Sequence, residues 1–284
     1  MGVKPWESSC DYQIMTAHSP SKASQARART RMRHRFYQQL FAVMALQMLI
    51  LGLPPHFHSF STLCTAGMLL ILLTQLGRTQ LLEHRFSVLH TWSYRGLGVV
   101  GLAALMGWLF NPVETRWSGV VLLFVLGVFM FWSLLRLLVL LRQEETITTP
   151  VLVGAVSGYL MLGITGGLLL SVLETMRPGS FVDLVNPYSS DLLNTHGLSQ
   201  SINPKAWDLD FSRINYFAFV SITTVGYGDI VPVHRIAQMA SVSLSIMGPL
   251  YLAVVMGLLI SRYTVQTQQE EDERDEEYRN EHHP

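Results

Sequence analysis

The sequence is short of charge and nearly devoid of cysteine. Of its 284 residues only 14% are charged, against about 25% in an average soluble domain. Its 20 Lys and Arg are balanced by 20 Asp and Glu. There is thus no basic excess of the kind a nucleic-acid-binding surface needs, and that class is excluded. A hydrophobic content of 49% likewise excludes a disordered chain. The two cysteines do not make a disulfide framework, because Cys10 sits in a polar tail and Cys64 inside an apolar run. No Ser-His-Asp, Cys-His or phosphate-loop pattern is present, so no enzyme is expected. His56-x-His58 and His282-His283 are too sparse to make a metal site.

What the sequence does have is long uncharged runs. Phe36–Leu53, Ser59–Gly77, Gly96–Phe110, Pro150–Leu173 and Ile236–Ser261 carry no charge, and Ser118–Leu141 carries only Arg136. A bilayer-spanning helix needs roughly 20 mostly apolar residues. The third run reaches that length when extended back through Leu89-His90-Thr91-Trp92. The reading is therefore an all-α membrane protein with six transmembrane helices. The first run begins late and lacks a small-residue cleavage site, so no cleavable leader is expected.

Orientation follows from the basic residues of the short connections. Lys22, Arg27, Arg29, Arg31, Arg33 and Arg35 precede the first span, and Arg78, Arg85 and Arg95 lie between the second and third. The first connection, Pro54-Pro55-His56-Phe57-His58, has none, and the third has only Arg116. Both termini are therefore expected in the cytoplasm. Neutrality is a cancellation between tails: residues 1–35 hold seven basic and two acidic side chains, and residues 262–284 hold three and eight. The fifth and sixth spans flank a connection of about 60 residues, far above ordinary loop length and a candidate functional insertion.

Within that connection stands Thr223-Thr224-Val225-Gly226-Tyr227-Gly228-Asp229. A dehydrated potassium ion needs oxygen neighbours on all sides, and backbone carbonyls supply them if they face one axis. Such a strand needs left-handed backbone angles at alternate positions, which Gly226 and Gly228 adopt without steric cost. Val225 and Tyr227 can then pack away from the axis. One strand cannot surround an ion, so four chains would meet around it. Phe211–Ile222 before it has the length and apolar character of a re-entrant helix, whose C-terminal dipole favours a cation.

The segment, with Pro232 after it, resembles the selectivity signature of the tetrameric potassium channels. The likeness is to the six-transmembrane prokaryotic type with voltage-gated-like architecture; it is close over roughly 150–262 and weaker before. It implies a homotetrameric pore in a prokaryotic inner membrane, contacting lipid and passing K+ passively, with no cofactor beyond the K+ ions themselves. The ion sites would be the carbonyls of Thr224, Val225, Gly226 and Tyr227 with the Thr224 hydroxyl, Gly228 completing the filter and Thr223 supporting it. Asp229 matches a bracing carboxylate, its usual tryptophan partner being replaced by Tyr216 and a second tryptophan by Phe217. Val220 stands where some bacterial members carry glutamate, and Val231 where an aromatic gives strong external tetraethylammonium block. Gly248 matches an inner-helix hinge, followed by Pro249, and Ala253 a pore-narrowing small residue. Glu174 resembles an acid that braces the outer pore. The implied domains are a basic tail (1–35), a voltage-sensor-like four-helix domain (36–142), a linker (143–149), a pore domain (150–262) and an acidic tail (263–284).

The fourth run departs from the voltage-gated pattern. It holds Arg136 and Arg142 alone, six apart, where a sensor needs a positive charge at every third position. One charge moved fully across the membrane yields about 2.3 kcal/mol per 100 mV, so one Arg per subunit makes a weak sensor. Both arginines are expected to snorkel to the inner interface. A potassium channel without strong voltage gating is the reading, with a voltage-gated potassium channel as the alternative and a potassium-transporter subunit as the remote one. Residues 262–284 are too few to fold as a ligand-binding domain.

Overall fold

The computed structural model describes residues 22–53, 58–77, 88–110, 116–144, 146–184 and 207–282. The tail before residue 22, most of the first two connections with His56, Arg78 and Arg85, residues 185–206 of the long connection, and His283 lie outside the described residues.

Six helices overlie the six apolar runs: α1 (Lys22–Leu51), α2 (His58–Ile71), α3 (Val88–Phe110), α4 (Arg116–Arg142), α5 (Thr149–Met176) and, after the short α6 (Trp207–Ile222), α7 (Arg235–His282). Among the described residues, α4, α5 and α7 contain stretches long and apolar enough to cross a membrane. Helix α1 starts inside the basic tail, at Lys22. Further along, one face of it is buried, where Phe36, Tyr37, Leu40, Met44 and Gln47 recur at helical spacing. At the other end α7 runs on through the acidic segment to His282. At 1.5 Å per residue that helix is about 70 Å long, well beyond a hydrocarbon core of about 30 Å.

The all-α expectation misses one element. Strand β1 (Phe181–Asp183) pairs antiparallel with β2 (Ile230–Pro232), in the register Phe181↔Pro232, Val182↔Val231 and Asp183↔Ile230. This two-stranded ribbon joins the chain just after α5 to the chain just after the Thr223–Asp229 segment.

Helix α5 is the hub, touching α1, α4, α6 and α7. Its small residues make that possible. A Cβ at Gly154 would meet the Tyr37 ring, at Gly158 the Tyr251 hydroxyl, at Gly163 the Phe219 ring and at Gly166 the Leu244 side chain. Between membrane helices, where lipid is as apolar as leucine, close backbone approach of this kind is what drives packing.

The four N-terminal helices contain a buried arginine. Helix α2 ends in a π-helical turn, Leu72–Leu76, which leaves its last carbonyls without ordinary helical partners. Arg136 Nη1 donates to Leu76 O at 3.0 Å, and Arg95 Nε donates to Gly77 O at 2.8 Å. The Arg136 guanidinium also lies 3.9 Å from the centroid of the Tyr94 ring. The Tyr94 hydroxyl contacts Leu72 O at 3.2 Å and Ser133 Oγ at 2.9 Å. Arg136 is 1% exposed, so it does not snorkel as expected. It caps a helix C-terminus, where the dipole favours a cation, and only Arg142 is exposed.

Candidate functional site

The site begins where α6 stops. Four carbonyls at a helix C-terminus need new partners, and here each has one. Phe219 O accepts from Thr223 N (3.0 Å) and Thr223 Oγ1 (2.7 Å), and Ser221 O accepts from Thr224 N (3.0 Å). Val220 O accepts from Val225 N (3.1 Å) and Gly226 N (3.4 Å). Ile222 O accepts from the Tyr159 hydroxyl of α5 at 3.2 Å. The N–H groups of residues 223–226 are thus folded back onto the helix.

Beyond that point the backbone alternates in hand. Thr224, Gly226 and Gly228 have φ of 58°, 59° and 77°, while Val225 and Tyr227 stay on the ordinary side. The two glycines were expected there. Thr224 was not, because a β-branched residue at positive φ is strained. It occupies the left-handed position that glycine usually takes just past a helix end. Among the described residues, no backbone N–H donates to the carbonyls of Thr224, Val225, Gly226 or Tyr227. The Val225 and Tyr227 side chains are 52% and 71% exposed on the single chain.

The far end of the segment is tied on two sides. Asp229 O accepts from Leu184 N at 2.8 Å, and the Asp229 carboxylate lies near enough to the Tyr216 phenol to act on it electrostatically. Tyr216 therefore stands beside Asp229, whereas Phe217 turns away. Phe217 is buried, and its ring centroid lies 5.2 Å from that of Phe181 on β1. The Glu174 carboxylate, fully buried at the end of α5, accepts from Gly179 N (2.8 Å) and Phe181 N (3.0 Å). It fixes the turn that launches β1, and through β1 the strand β2 that follows Asp229. Val233 N donates to Ser180 O at 2.8 Å and closes the ribbon.

On α7, Gly248 has a reason other than hinging. It is buried directly against the Ile222 carbonyl, with Ile222 Cγ1 2.8 Å from where a Cβ would stand. The α7 backbone is helical through both Gly248 and Pro249. Pro249 removes one intrahelical N–H, and Ala253 is exposed. Ser241, Ser243 and Ser245 each donate to the carbonyl four residues earlier, at 2.8, 2.8 and 3.0 Å.

Residues 191–265 match the ion channel family model. The matched stretch takes in α6, the left-handed segment, β2 and the apolar part of α7. It identifies an ion-channel domain, in a membrane protein whose described helices include three of spanning length. No curated protein and no solved structure matches the chain.

Two features of the site were not foreseen from the sequence. Asp183 of β1 is fully buried and ion-paired to Arg213 Nη2 of α6. The two are 30 positions apart in a stretch without periodicity, so no sequence signal joins them. The other is Tyr159, whose place on α5 reads as one more apolar position.

Proposed function

We propose that this chain is one subunit of a homotetrameric, potassium-selective channel that conducts K+ passively and without strong voltage gating. The observation that carries the reading is the alternation of hand at Thr224, Gly226 and Gly228, next to four carbonyls that accept no backbone hydrogen bond. Oxygens in that state are the ligands a dehydrated K+ requires, and irregular backbone at membrane depth is stable only where it lines such a path. The Thr224 hydroxyl adds an oxygen at the inner end, while Thr223, Tyr216, Asp229 and Glu174 hold the strand. The C-terminus of α6 contributes a favourable dipole.

Four copies also account for what a single chain leaves bare. Val225, Tyr227 and, on α7, Met239, Ile246 and Leu250 are more than half exposed. Large apolar side chains in that number call for cover by neighbouring subunits or lipid. Gly248 seats α7 on the end of α6, and Pro249 and Ala253 fall on the following turns that would line the inner pore. All six apolar helices span the membrane in this reading, with both termini in the cytoplasm. The channel would sit in a prokaryotic inner membrane.

Against strong voltage gating stands the fixation of Arg136. A gating charge must exchange partners as it moves, whereas this one is held by a carbonyl, an aromatic ring and burial together. The test is K+ and Na+ flux through purified protein in liposomes, followed by bilayer recording at varied voltage. The expected result is a reversal potential that follows the K+ gradient alone and a shallow conductance–voltage curve. Reversal potentials that follow Na+ equally, or selectivity unchanged by Gly226→Ala or Tyr227→Val, would sink the filter assignment.

A further inference from the structure

Three helices run out of apolar sequence at one level and leave a cleft between them. The apolar stretch of α4 ends at Arg142, that of α7 ends just before Arg262, and α5 begins at Thr149. The cleft measures about 430 Å³, part of it open to solvent. Its walls include Leu138 and Leu141 of α4, Val151 of α5, and Val255, Leu258 and Leu259 of α7, and the exposed Arg142 and Arg262 complete the lining. The walls are tied together rather than loosely apposed. Arg262 Nη2 donates to Arg142 O at 3.4 Å, and Gln266 Oε1, one turn further along α7, accepts from Ile147 N at 3.2 Å. The Tyr251 hydroxyl donates to the carbonyl of Ala155, another wall residue, at 2.7 Å. Among the described residues neither Arg142 nor Arg262 has a carboxylate within 4 Å. The described acid that lines the cleft, Glu144, is taken by the Tyr37 hydroxyl and by Arg33.

We propose that this cleft binds one anionic phospholipid, with its phosphate between Arg142 and Arg262 and one acyl chain against the apolar walls. The proposal rests on α4, α5 and α7 crossing the membrane and is independent of K+ selectivity. A guanidinium presents a planar fork of donors that matches a phosphate, and here two such forks line one opening. The Arg262 bond to Arg142 O holds two like charges close together, and a single phosphate neutralises both. The level also fits, because the ends of the apolar stretches mark the boundary of the hydrocarbon core, where lipid headgroups lie. A soluble anion would leave the leucine and valine walls bare. A zwitterionic lipid would bring its own cation toward the two arginines. Because its walls are already tied, the cleft loses little freedom when it is filled.

The test uses the full-length protein in a neutral detergent, with Cys10→Ser and Cys64→Ala, and adds dioleoyl-phosphatidylglycerol, dioleoyl-phosphatidylcholine or glycerol phosphate. Leu258→Cys reports occupancy of the cleft through its rate of reaction with a maleimide, and Val265→Cys, outside the cleft, is the control. Phosphatidylglycerol should slow labelling in the cleft about tenfold and leave the control unchanged, while the other two compounds have little effect. A basic side chain near an anionic lipid is worth about fivefold in affinity. Arg142→Gln and Arg262→Gln should therefore each raise the phosphatidylglycerol midpoint about fivefold, and the double variant about 25-fold. Equal protection by phosphatidylcholine would mean an apolar occupant without charge recognition, and protection by glycerol phosphate alone a site for a soluble anion; either result overturns the proposal. So does an unchanged midpoint in both Gln variants. If Arg262→Gln does not purify, having lost its bond to Arg142 O, Arg142→Gln decides alone, since among the described residues its side chain makes no hydrogen bond. Thermal unfolding of the unmodified wild type gives a readout free of introduced cysteines. Phosphatidylglycerol should raise Tm more than phosphatidylcholine does, and equal shifts would again overturn the proposal.

Discussion

Glu174 offers the sharpest stability test of the outer end of the site. Its carboxylate is fully buried and accepts two backbone hydrogen bonds, from Gly179 N at 2.8 Å and Phe181 N at 3.0 Å. Hydrogen bonds to a charged group contribute about 1.5–3 kcal/mol each, so Glu174→Ala removes a gross 3–6 kcal/mol and strands two N–H groups. Partial relaxation of the turn and entry of water offset some of this, leaving about 3 kcal/mol per subunit. For a chain of this size a loss of 1 kcal/mol lowers Tm by about 2–4 °C, so the expected drop is about 6–12 °C. Glu174→Gln keeps one acceptor oxygen and turns an amide donor toward the other N–H, so it should fall between alanine and wild type. The assay is thermal unfolding of the detergent-solubilised protein, read alongside amide exchange at Gly179 and Phe181. A Tm for Glu174→Ala within about 2 °C of wild type, with exchange at both amides unchanged, would refute the claim that this carboxylate holds the turn before β1.

Gly248→Ala drives a Cβ into the Ile222 carbonyl, backbone that cannot step aside, so assembly yield should fall sharply while Pro249→Ala is tolerated. The reverse order, read by size-exclusion yield, would favour a hinge over a packing role. Arg136→Gln removes the Leu76 carbonyl cap and the stacking on Tyr94, at a cost of about 2 kcal/mol. Its conductance–voltage slope should match that of wild type, and a clear change in slope would reinstate Arg136 as a gating charge. Tyr37→Phe removes the 2.9 Å bond to Glu144 Oε1 and leaves Arg33, 3.6 Å away, facing that oxygen. The expected loss is about 1–2 kcal/mol, visible as earlier thermal unfolding, and no shift in unfolding temperature would count against it.

The helices were legible because the bilayer imposes a length, and uncharged runs of that length have few other uses. The Thr223–Asp229 segment was legible because alternate glycines are a strong sign of alternate backbone hand. What remained hidden depended on neighbours that a linear pattern does not display. Arg136 looked free to snorkel, since nothing in the sequence marks the π turn of α2 or the carbonyls that it leaves for a cation. Thr224 was missed because its left-handed angle runs against its own preference and is imposed by hydrogen bonds to α6. Gly248 looked like a source of flexibility, whereas its neighbour Ile222 makes it a point of contact. The glycines of α5 were visible as letters, but each matters only through the side chain that lies on it.

Apart from the Arg136–Tyr94 cluster of the N-terminal helices, many of the polar contacts of the described residues fall at two levels. One surrounds the β1–β2 ribbon, where Glu174 holds the turn before β1, Asp183 pairs with Arg213, and Asp229 O accepts from Leu184 N. The other is the link between α4 and α5. There Tyr37 and Arg33 reach Glu144, Ile147 N donates to Gln266 Oε1 at 3.2 Å, and Arg262 reaches Arg142 O at 3.4 Å. Between the levels, α5 meets its neighbours largely through glycine and apolar surface. That division has a physical basis. A polar pair at bilayer depth must beat the partners its groups would find in the unassembled state, so it contributes little. Near the interfaces the same groups have water as their alternative and can be specific without being costly to expose. Helix α7 touches both levels, through Gln238 Nε2 donating to Pro232 O at 3.3 Å beside the ribbon and through Arg262 and Gln266 at the link. A displacement of its inner half therefore has to break the hydrogen bonds to the 142–147 link first, while its contact with Ile222 stays in place.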